Sequence, residues 1–368
     1  MRTVRLSLKD RAYPIFVGRG LLQHLGRLLK KRGLHQHHAL VVSQKEISQH
    51  HSPLVQALTK EGIVHSFFTV PASKSSEAAK SQAVFAQLIK SVAAFDGKHK
   101  SLMLIALGGG VIGDLTGFAA SVYRRGVPFV QVPSTLTAQV DSAIGGKTGI
   151  DLPQGKNLLG SVYQPALVVC DTALLDTLPE RHWSDGFAEV IKYGVIKDPW
   201  LFSLLERYGK EGVQKNPRLL EKVIQRCVKI KARIVEKDEW DKKGLRIVLN
   251  FGHTAGHAIE TASRFSRQYT HGEAVAVGML VACDIGQSLG VLKDAGLTER
   301  LEQTLVKFGL PLYYKGLTQE ALLKAMGYDK KNEVGSNRFV LPVALGKVTT
   351  VRDVPTDMIS QALEKRKG

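Results

Sequence analysis

The 368-residue chain predicts an α/β N-terminal domain with a mostly parallel, Rossmann-like sheet, followed by a mainly α-helical C-terminal domain. Three observations carry this. Up to about residue 177, short apolar runs alternate with amphipathic helical ones, the pattern of a parallel sheet covered by helices. An apolar run ending at Leu107 leads straight into three glycines. After Thr177-Leu178-Pro179 the periodicity turns almost wholly helical. The expected domains are therefore 1–177 and 178–368, in keeping with roughly 150 residues per domain.

In chain order, 3–8 alternates polar and apolar residues and reads as a strand. Residues 21–31 and 77–92 repeat at helical spacing, and 39–42, 101–107 and 129–132 read as buried strands, the last stopped by Pro133. Beyond residue 177 the segments 187–196, 199–208, 218–236, 252–263, 273–289, 298–308 and 319–326 carry apolar residues at helical period, and 338–342 with 347–351 read as a strand pair.

Composition narrows the function. Hydrophobic residues make up 44% and charged residues 23%, as in ordinary globular chains. The start lacks the apolar run of a signal peptide, and stretches such as 274–283 fall short of the ~20 residues that cross a bilayer. A cytoplasmic protein with no membrane partner is expected. Three cysteines without CxxC spacing argue against both a disulfide framework and a thiolate zinc site. The net charge of +18 is spread evenly, +10 before residue 178 and +8 after it, and the short runs Lys30-Lys31-Arg32 and Lys242-Lys243 carry no nucleic-acid signature. No nucleic-acid partner is expected, and an anionic small molecule fits the bias.

Three motifs carry chemistry. Gly108-Gly109-Gly110-Val111-Ile112-Gly113-Asp114 satisfies GxGxxG between a strand and a helix, where glycines let the backbone approach a pyrophosphate. The acid that usually follows about 20 residues on is missing. Gly146-Lys147-Thr148 invites a phosphate-loop reading, but Asp141 stands where that loop needs glycine. What remains there, Asp141, Lys147, Lys156 and Asn157, suits a polyhydroxylated anion. Lastly, His253 and His257 lie four apart on one helix face, with His271-Gly272-Glu273 shortly after, so His253, His257 and His271 can supply two or three ligands to a catalytic zinc.

These motifs, with Tyr123–Gly126, Gln131–Leu136, Val140–Thr148, Phe187–Lys192, Asn250–Glu260, His271–Met279 and Asp329-Lys330-Lys331, run in order along nearly the whole chain, which resembles the 3-dehydroquinate synthase family. The resemblance implies a lyase of the shikimate pathway, which feeds aromatic amino acid biosynthesis. It would use NAD and a zinc or cobalt ion, and it would convert 3-deoxy-D-arabino-heptulosonate 7-phosphate to 3-dehydroquinate and phosphate through transient oxidation, phosphate elimination, reduction and intramolecular aldol closure. It also implies metal ligands at Glu189, His253 and His271, with His257 contacting the substrate instead of the metal. The substrate set falls on Asp141, Lys147, Asn157, Lys192, Lys231, Arg246, Asn250 and His257. For NAD it implies Glu77, Lys80, Gly109, Gly110, Asp114, Ser134 and Thr135, with Lys147, Lys156 and Thr172 beside them. Arg125 resembles an arginine that reaches the phosphate from a neighbouring subunit, so a homodimer is expected. The chain departs from the family pattern in the long spacer before Glu77 and in having Gln44 where an acid commonly meets the adenosine. Another sugar phosphate cyclase of the same superfamily, such as a 2-deoxy-scyllo-inosose synthase, would share most of these motifs. A metal-dependent polyol dehydrogenase would lack the lysines and arginines for phosphate.

Overall fold

The computed structural model describes residues 1–73, 77–97, 101–263, 268–327 and 337–368. They fall into two compact units, Met1–Leu178 with Ile224–Trp240, and Pro179–Val223 with Asp241–Gly368. The change of periodicity near residue 177 assigns 224–240 to the second half, yet this segment packs into the first unit. Long-range polar contacts hold it there: Glu236 accepts from the Ser7 amide at 2.7 Å, and Lys231 Nζ lies 2.9 Å from Asp141 Oδ1.

The first unit is built on nine strands: β1 (Arg2–Leu6), β2 (Tyr13–Gly18), β3 (His38–Gln44), β4 (His65–Val70), β5 (Leu102–Gly108), β6 (Phe129–Pro133), β7 (Lys147–Leu152), β8 (Gly155–Val162) and β9 (Leu167–Asp171). Seven form one sheet in the order β1-β2-β9-β6-β5-β3-β4, parallel except for β1 against β2, while β7 and β8 form a separate antiparallel hairpin. The central strands are buried on both faces because their side chains alternate between two cores. Ala39, Val41, Met103, Ile105, Val130 and Val169 meet α1 (Leu25–Lys31) and α2 (His51–Lys60) on one side. Leu40, Val42, Leu104, Ala106 and Phe129 meet α3 (Gln82–Asp96) and α4 (Gly110–Val122) on the other.

Strands β2, β4, β7, β8 and β9 and helix α2 are absent from the sequence reading above. The helix expected over 77–92 divides: residues 77–79 form a separate short turn, and α3 begins after Ser81, whose hydroxyl accepts from the Val84 amide at 3.4 Å. A serine with extended backbone is a natural helix start.

The second unit contains α5 (Glu180–Lys197), α6 (Pro199–Gln214), the start of α7 (Pro217–Lys237), α8 (His253–Ala262), α9 (His271–Ser288), α10 (Leu297–Lys307), α11 (Gln319–Ala325), an antiparallel pair β10 (Arg338–Ala344) and β11 (Lys347–Arg352), and α12 (Thr356–Lys365). Helix α6 runs past the expected end at Tyr208 but carries a non-helical Gly209 (φ +61°) there. Two glycines permit the close packing of α9. A Cβ at Gly278 would lie 2.0 Å from the Gly252 carbonyl oxygen, and one at Gly272 would lie 2.2 Å from that of Asp185. Cys170, Cys227 and Cys283 are buried thiols outside any disulfide. No helix among the described residues is long and apolar enough to cross a membrane.

Candidate active site

In the second unit, α5, α8 and α9 bring Glu189, His253 and His271 together, with one potential ligand atom from each lying within 4.8 Å of the others. Helix α9 starts at His271 because Thr270 and Glu273 form a reciprocal cap: the Thr270 hydroxyl accepts from the Glu273 amide at 3.3 Å, and the Glu273 carboxylate accepts from the Thr270 amide at 2.8 Å. Arg181 clamps the same carboxylate with two bonds of 2.9 and 2.7 Å. Glu273 is therefore the anchor of its neighbour His271.

The donor atoms are oriented by their other contacts. Glu189 Oε2 faces the Lys192 ammonium one turn along α5, while Oε1 lies 3.2 Å from His271 Nε2 and 3.5 Å from His253 Nε2. His253 Nδ1 sits 3.1 Å from the Phe251 carbonyl, and His271 Nδ1 sits 3.3 Å from Glu260 Oε2. A carbonyl and a carboxylate only accept, so both Nδ1 atoms carry hydrogen and both Nε2 atoms turn to Glu189. With Nε2 deprotonated, the two imidazoles and one carboxylate make the donor set of a catalytic zinc or cobalt site. Side-chain exposure rises from 1% at Glu189 to 12% at His253 and 33% at His271, so the triad is closed behind and open on the His271 side.

Burial alone would raise the Glu189 carboxyl, but Lys192 and the two imidazoles hold it well below the ordinary carboxylate range. Burial followed by the Lys192 charge lowers His253. His271 goes the other way: burial opposes its charge, but Glu189 and Glu260 hold it well above the usual histidine value. The site thus attracts positive charge at His271.

His257, exposed and one turn beyond His253, has its ring 5.3 Å from that of His253 and 6.2 Å from that of His271. With Glu260 and His271 it forms a second, more exposed triad of possible ligand atoms. Glu260, to which the sequence reading assigns no role, completes the helix face of His253 and His257 at the seventh position, and that spacing is the signal that could have found it. Arg246 is buried and Asn250 exposed on the short helix at residues 245–250 that leads into α8.

The first unit gathers the other predicted residues. The turn from β5 into α4 passes through Gly109 and Gly110, where an added Cβ would come within 3.2 Å of Thr135 Cγ2 and 2.9 Å of Ser142 Oγ. Ser134 and Thr135 follow β6 beside it, the Ser134 amide donating to the Gly108 carbonyl at 2.9 Å. Thr172, just after β9, is buried with a hydroxyl that has no hydrogen-bond partner among the described residues. Lys80, 4% exposed, donates to Asp114 at 2.7 Å and to Asn157 at 2.5 Å; Glu77 lies 3.8 Å from Lys80 and 3.9 Å from Lys156. Residues expected to serve NAD and residues expected to serve substrate thus share one network. Burial raises the Asp114 carboxyl to about 6, although Lys80 pulls it down.

Lys231 also donates to the Asp141 carbonyl at 2.7 Å, and Lys147 is exposed at the start of β7. Arg125 is exposed beyond the C-terminal end of α4 with a left-handed backbone (φ +64°). The 13 residues of α4 separate it from the glycine turn by about 20 Å at 1.5 Å per residue. The residues 20 positions beyond the glycines form β6 on one side of β5, whereas β3, ending at Gln44, borders β5 on the other. The segment Asp329–Lys331 and part of the spacer before Glu77 lie outside the described residues.

Comparison with known proteins finds relatives along nearly the whole chain. A family model described as 3-dehydroquinate synthase N-terminal matches residues 70–185, and one described as 3-dehydroquinate synthase C-terminal matches residues 186–332. The chain is 41% identical over 98% of its length to a 3-dehydroquinate synthase of Symbiobacterium thermophilum, of which 99% is covered. Among solved structures it is similar to 2-epi-5-epi-valiolone synthase from Streptomyces hygroscopicus with NAD+ and Zn2+ bound, at TM-score 0.85 and 28% identity over 99% of both chains. A 2-deoxy-scyllo-inosose synthase complexed with carbaglucose-6-phosphate, NAD+ and Co2+ shares the fold at TM-score 0.86, 24% identity and 99% and 100% coverage.

Proposed function

The chain belongs to the 3-dehydroquinate synthase family, and from that membership we propose that Glu189, His253 and His271 hold its metal while the turn at Gly109 and Gly110 receives its NAD. The protein is a phosphate-eliminating carbon–oxygen lyase that converts 3-deoxy-D-arabino-heptulosonate 7-phosphate to 3-dehydroquinate and phosphate, a step of the shikimate pathway. The observation that carries the site assignment is the convergence of one potential ligand atom each from Glu189, His253 and His271 within 4.8 Å. When bound, NAD supplies a hydride acceptor that returns its hydride, and the divalent zinc or cobalt ion supplies Lewis-acid polarisation of the substrate's oxygens.

The chain's own residues do the positioning. Lys192 keeps one Glu189 oxygen occupied and so aims the other at the imidazoles. In this reading NAD is served by Glu77, Lys80, Gly109, Gly110, Asp114, Ser134, Thr135, Lys156 and Thr172, and the unpartnered Thr172 hydroxyl supports it. The substrate set consists of Asp141, Lys147, Asn157 and Lys231 on the first unit and Lys192, Arg246, Asn250 and His257 on the second; its cations hold the phosphate and stabilise its departure. Arg125 serves the site of a second copy in a homodimer. Its separation from the glycine turn supports this, as do the exposed apolar side chains nearby, Val122 on α4 and Leu158 and Leu159 on β8.

The reading as another sugar phosphate cyclase is weaker, since identity to those enzymes is 28% and 24% against 41% to a 3-dehydroquinate synthase. Incubating the protein with the heptulosonate phosphate, NAD+ and Zn2+ should release phosphate and yield 3-dehydroquinate by mass. A carbocycle formed only from glucose 6-phosphate or sedoheptulose 7-phosphate would transfer the assignment to the other cyclases.

A further inference from the structure

Arg338 and Arg352 stand directly opposite each other in the ladder of β10 and β11. Side chains alternate along a strand, so Val340 shares the face of Arg338, and the directly opposed Arg352 shares it as well. All three line one cavity of about 470 Å³, whose other wall is Ile247, Asn250 and Thr254. The six lining residues include no carboxylate. Among the described residues neither guanidinium has an ion-pair partner. Like charges directly opposite on a ladder are destabilising. The Thr254 hydroxyl, donating to the Arg338 carbonyl at 3.2 Å, ties α8 to the hairpin and keeps both arginines against this cavity.

We propose that this cavity binds a dianion of the phosphate class, held by Arg338 and Arg352 with the Asn250 amide as a further donor. A guanidinium offers a planar fork that matches phosphate oxygens, and two opposed forks suit a doubly charged group better than a carboxylate. The volume exceeds what inorganic phosphate fills and lies in the range of small-ligand sites, which favours a phosphorylated small molecule. Neither arginine belongs to the substrate set given above. The site itself stands without the proposed function, which enters only in naming the substrate as one source of the anion.

Orthophosphate is titrated calorimetrically into wild-type protein and into Arg338→Ala, Arg352→Ala and the double variant, without substrate. Each single variant should weaken phosphate binding at least about tenfold, the double variant should lose that binding event, and added salt should weaken the wild type. Phosphate should also raise the wild-type Tm and leave that of the double variant unchanged, while in phosphate-free buffer the double variant, relieved of the opposed charges, should melt no lower than wild type. Kinetics on the heptulosonate phosphate then separate the sources: a raised KM with unchanged kcat identifies the substrate's own phosphoryl group, and an unchanged KM with weakened product inhibition identifies free phosphate. A well-folded double variant that binds orthophosphate as tightly as wild type, with KM and inhibition unchanged, overturns the site. Because the calorimetry needs no turnover, an inactive protein that still shows the arginine-dependent binding would refute the enzymatic reading and leave the anion site standing.

Discussion

Glu260 Oε2 lies 3.3 Å from His271 Nδ1, on the side of the ring opposite the nitrogen that faces Glu189. The carboxylate thereby fixes both the tautomer and the plane of the imidazole. Glu260→Ala is expected to weaken metal affinity about 10- to 100-fold, with Glu260→Gln recovering part of the loss. Competition against a chelator of known affinity measures it, and an unchanged affinity in the alanine variant would remove Glu260 from the site.

Roles within the histidine cluster are separable by metal content after gel filtration. Glu189→Ala, His253→Ala and His271→Ala should each lose most of the metal and turnover, and chelation of the wild type should abolish activity in the same way. His257→Ala should keep its metal and lose activity, because its ring is exposed and outside the buried triad. Equal metal loss in His253→Ala and His257→Ala would favour the alternative triad of His257, Glu260 and His271.

Complementation tests the placement of Arg125 beyond the far end of α4. Arg125→Ala and His253→Ala chains, each inactive alone, should recover about a quarter of wild-type activity when mixed, because about half the dimers are mixed and each has one intact site. A mixture that stays inactive despite confirmed subunit exchange would place Arg125 in its own chain's site.

The Asp114 carboxyl yields a pH prediction. Its folded value of about 6 lies above the ordinary 3.8, so the folded state keeps the proton longer than the unfolded chain. The stability this contributes is fully present below pH 3.8 and is lost as pH rises through about 6. In the NAD-free protein, the Tm of wild type minus that of Asp114→Asn should therefore fall across this interval. A difference that is flat or rises with pH would contradict the shift.

Packing of the metal helices is tested at Gly278. Its substitution by alanine drives a methyl group into the Gly252 carbonyl at 2.0 Å, so the helices carrying His253 and His271 must separate. The cost expected is at least about 1–3 kcal/mol, read as a lowered Tm together with weakened metal binding. A variant with wild-type Tm and metal affinity would show that α8 and α9 tolerate the displacement.

By itself the sequence determined what local rules can carry. Strands 101–107 and 129–132, the glycine turn between β5 and α4, the hairpin of β10 and β11 and the helical second half were legible, because hydrophobic period and glycine spacing act over a few residues. The i,i+4 rule brought His253 and His257 to one helix face, and only the ordered motifs of the family pointed past that pair to Glu189. What tertiary structure alone decided is what lies across chain distance. Glu189 meets His271 from 82 residues away, the helix segment 224–240 joins the first unit through Lys231 and Glu236, and Glu273 proved to be a cap. Such contacts follow from how helices pack, and packing depends on fits like that of Gly278 against Gly252, for which no spacing within one segment is a signal.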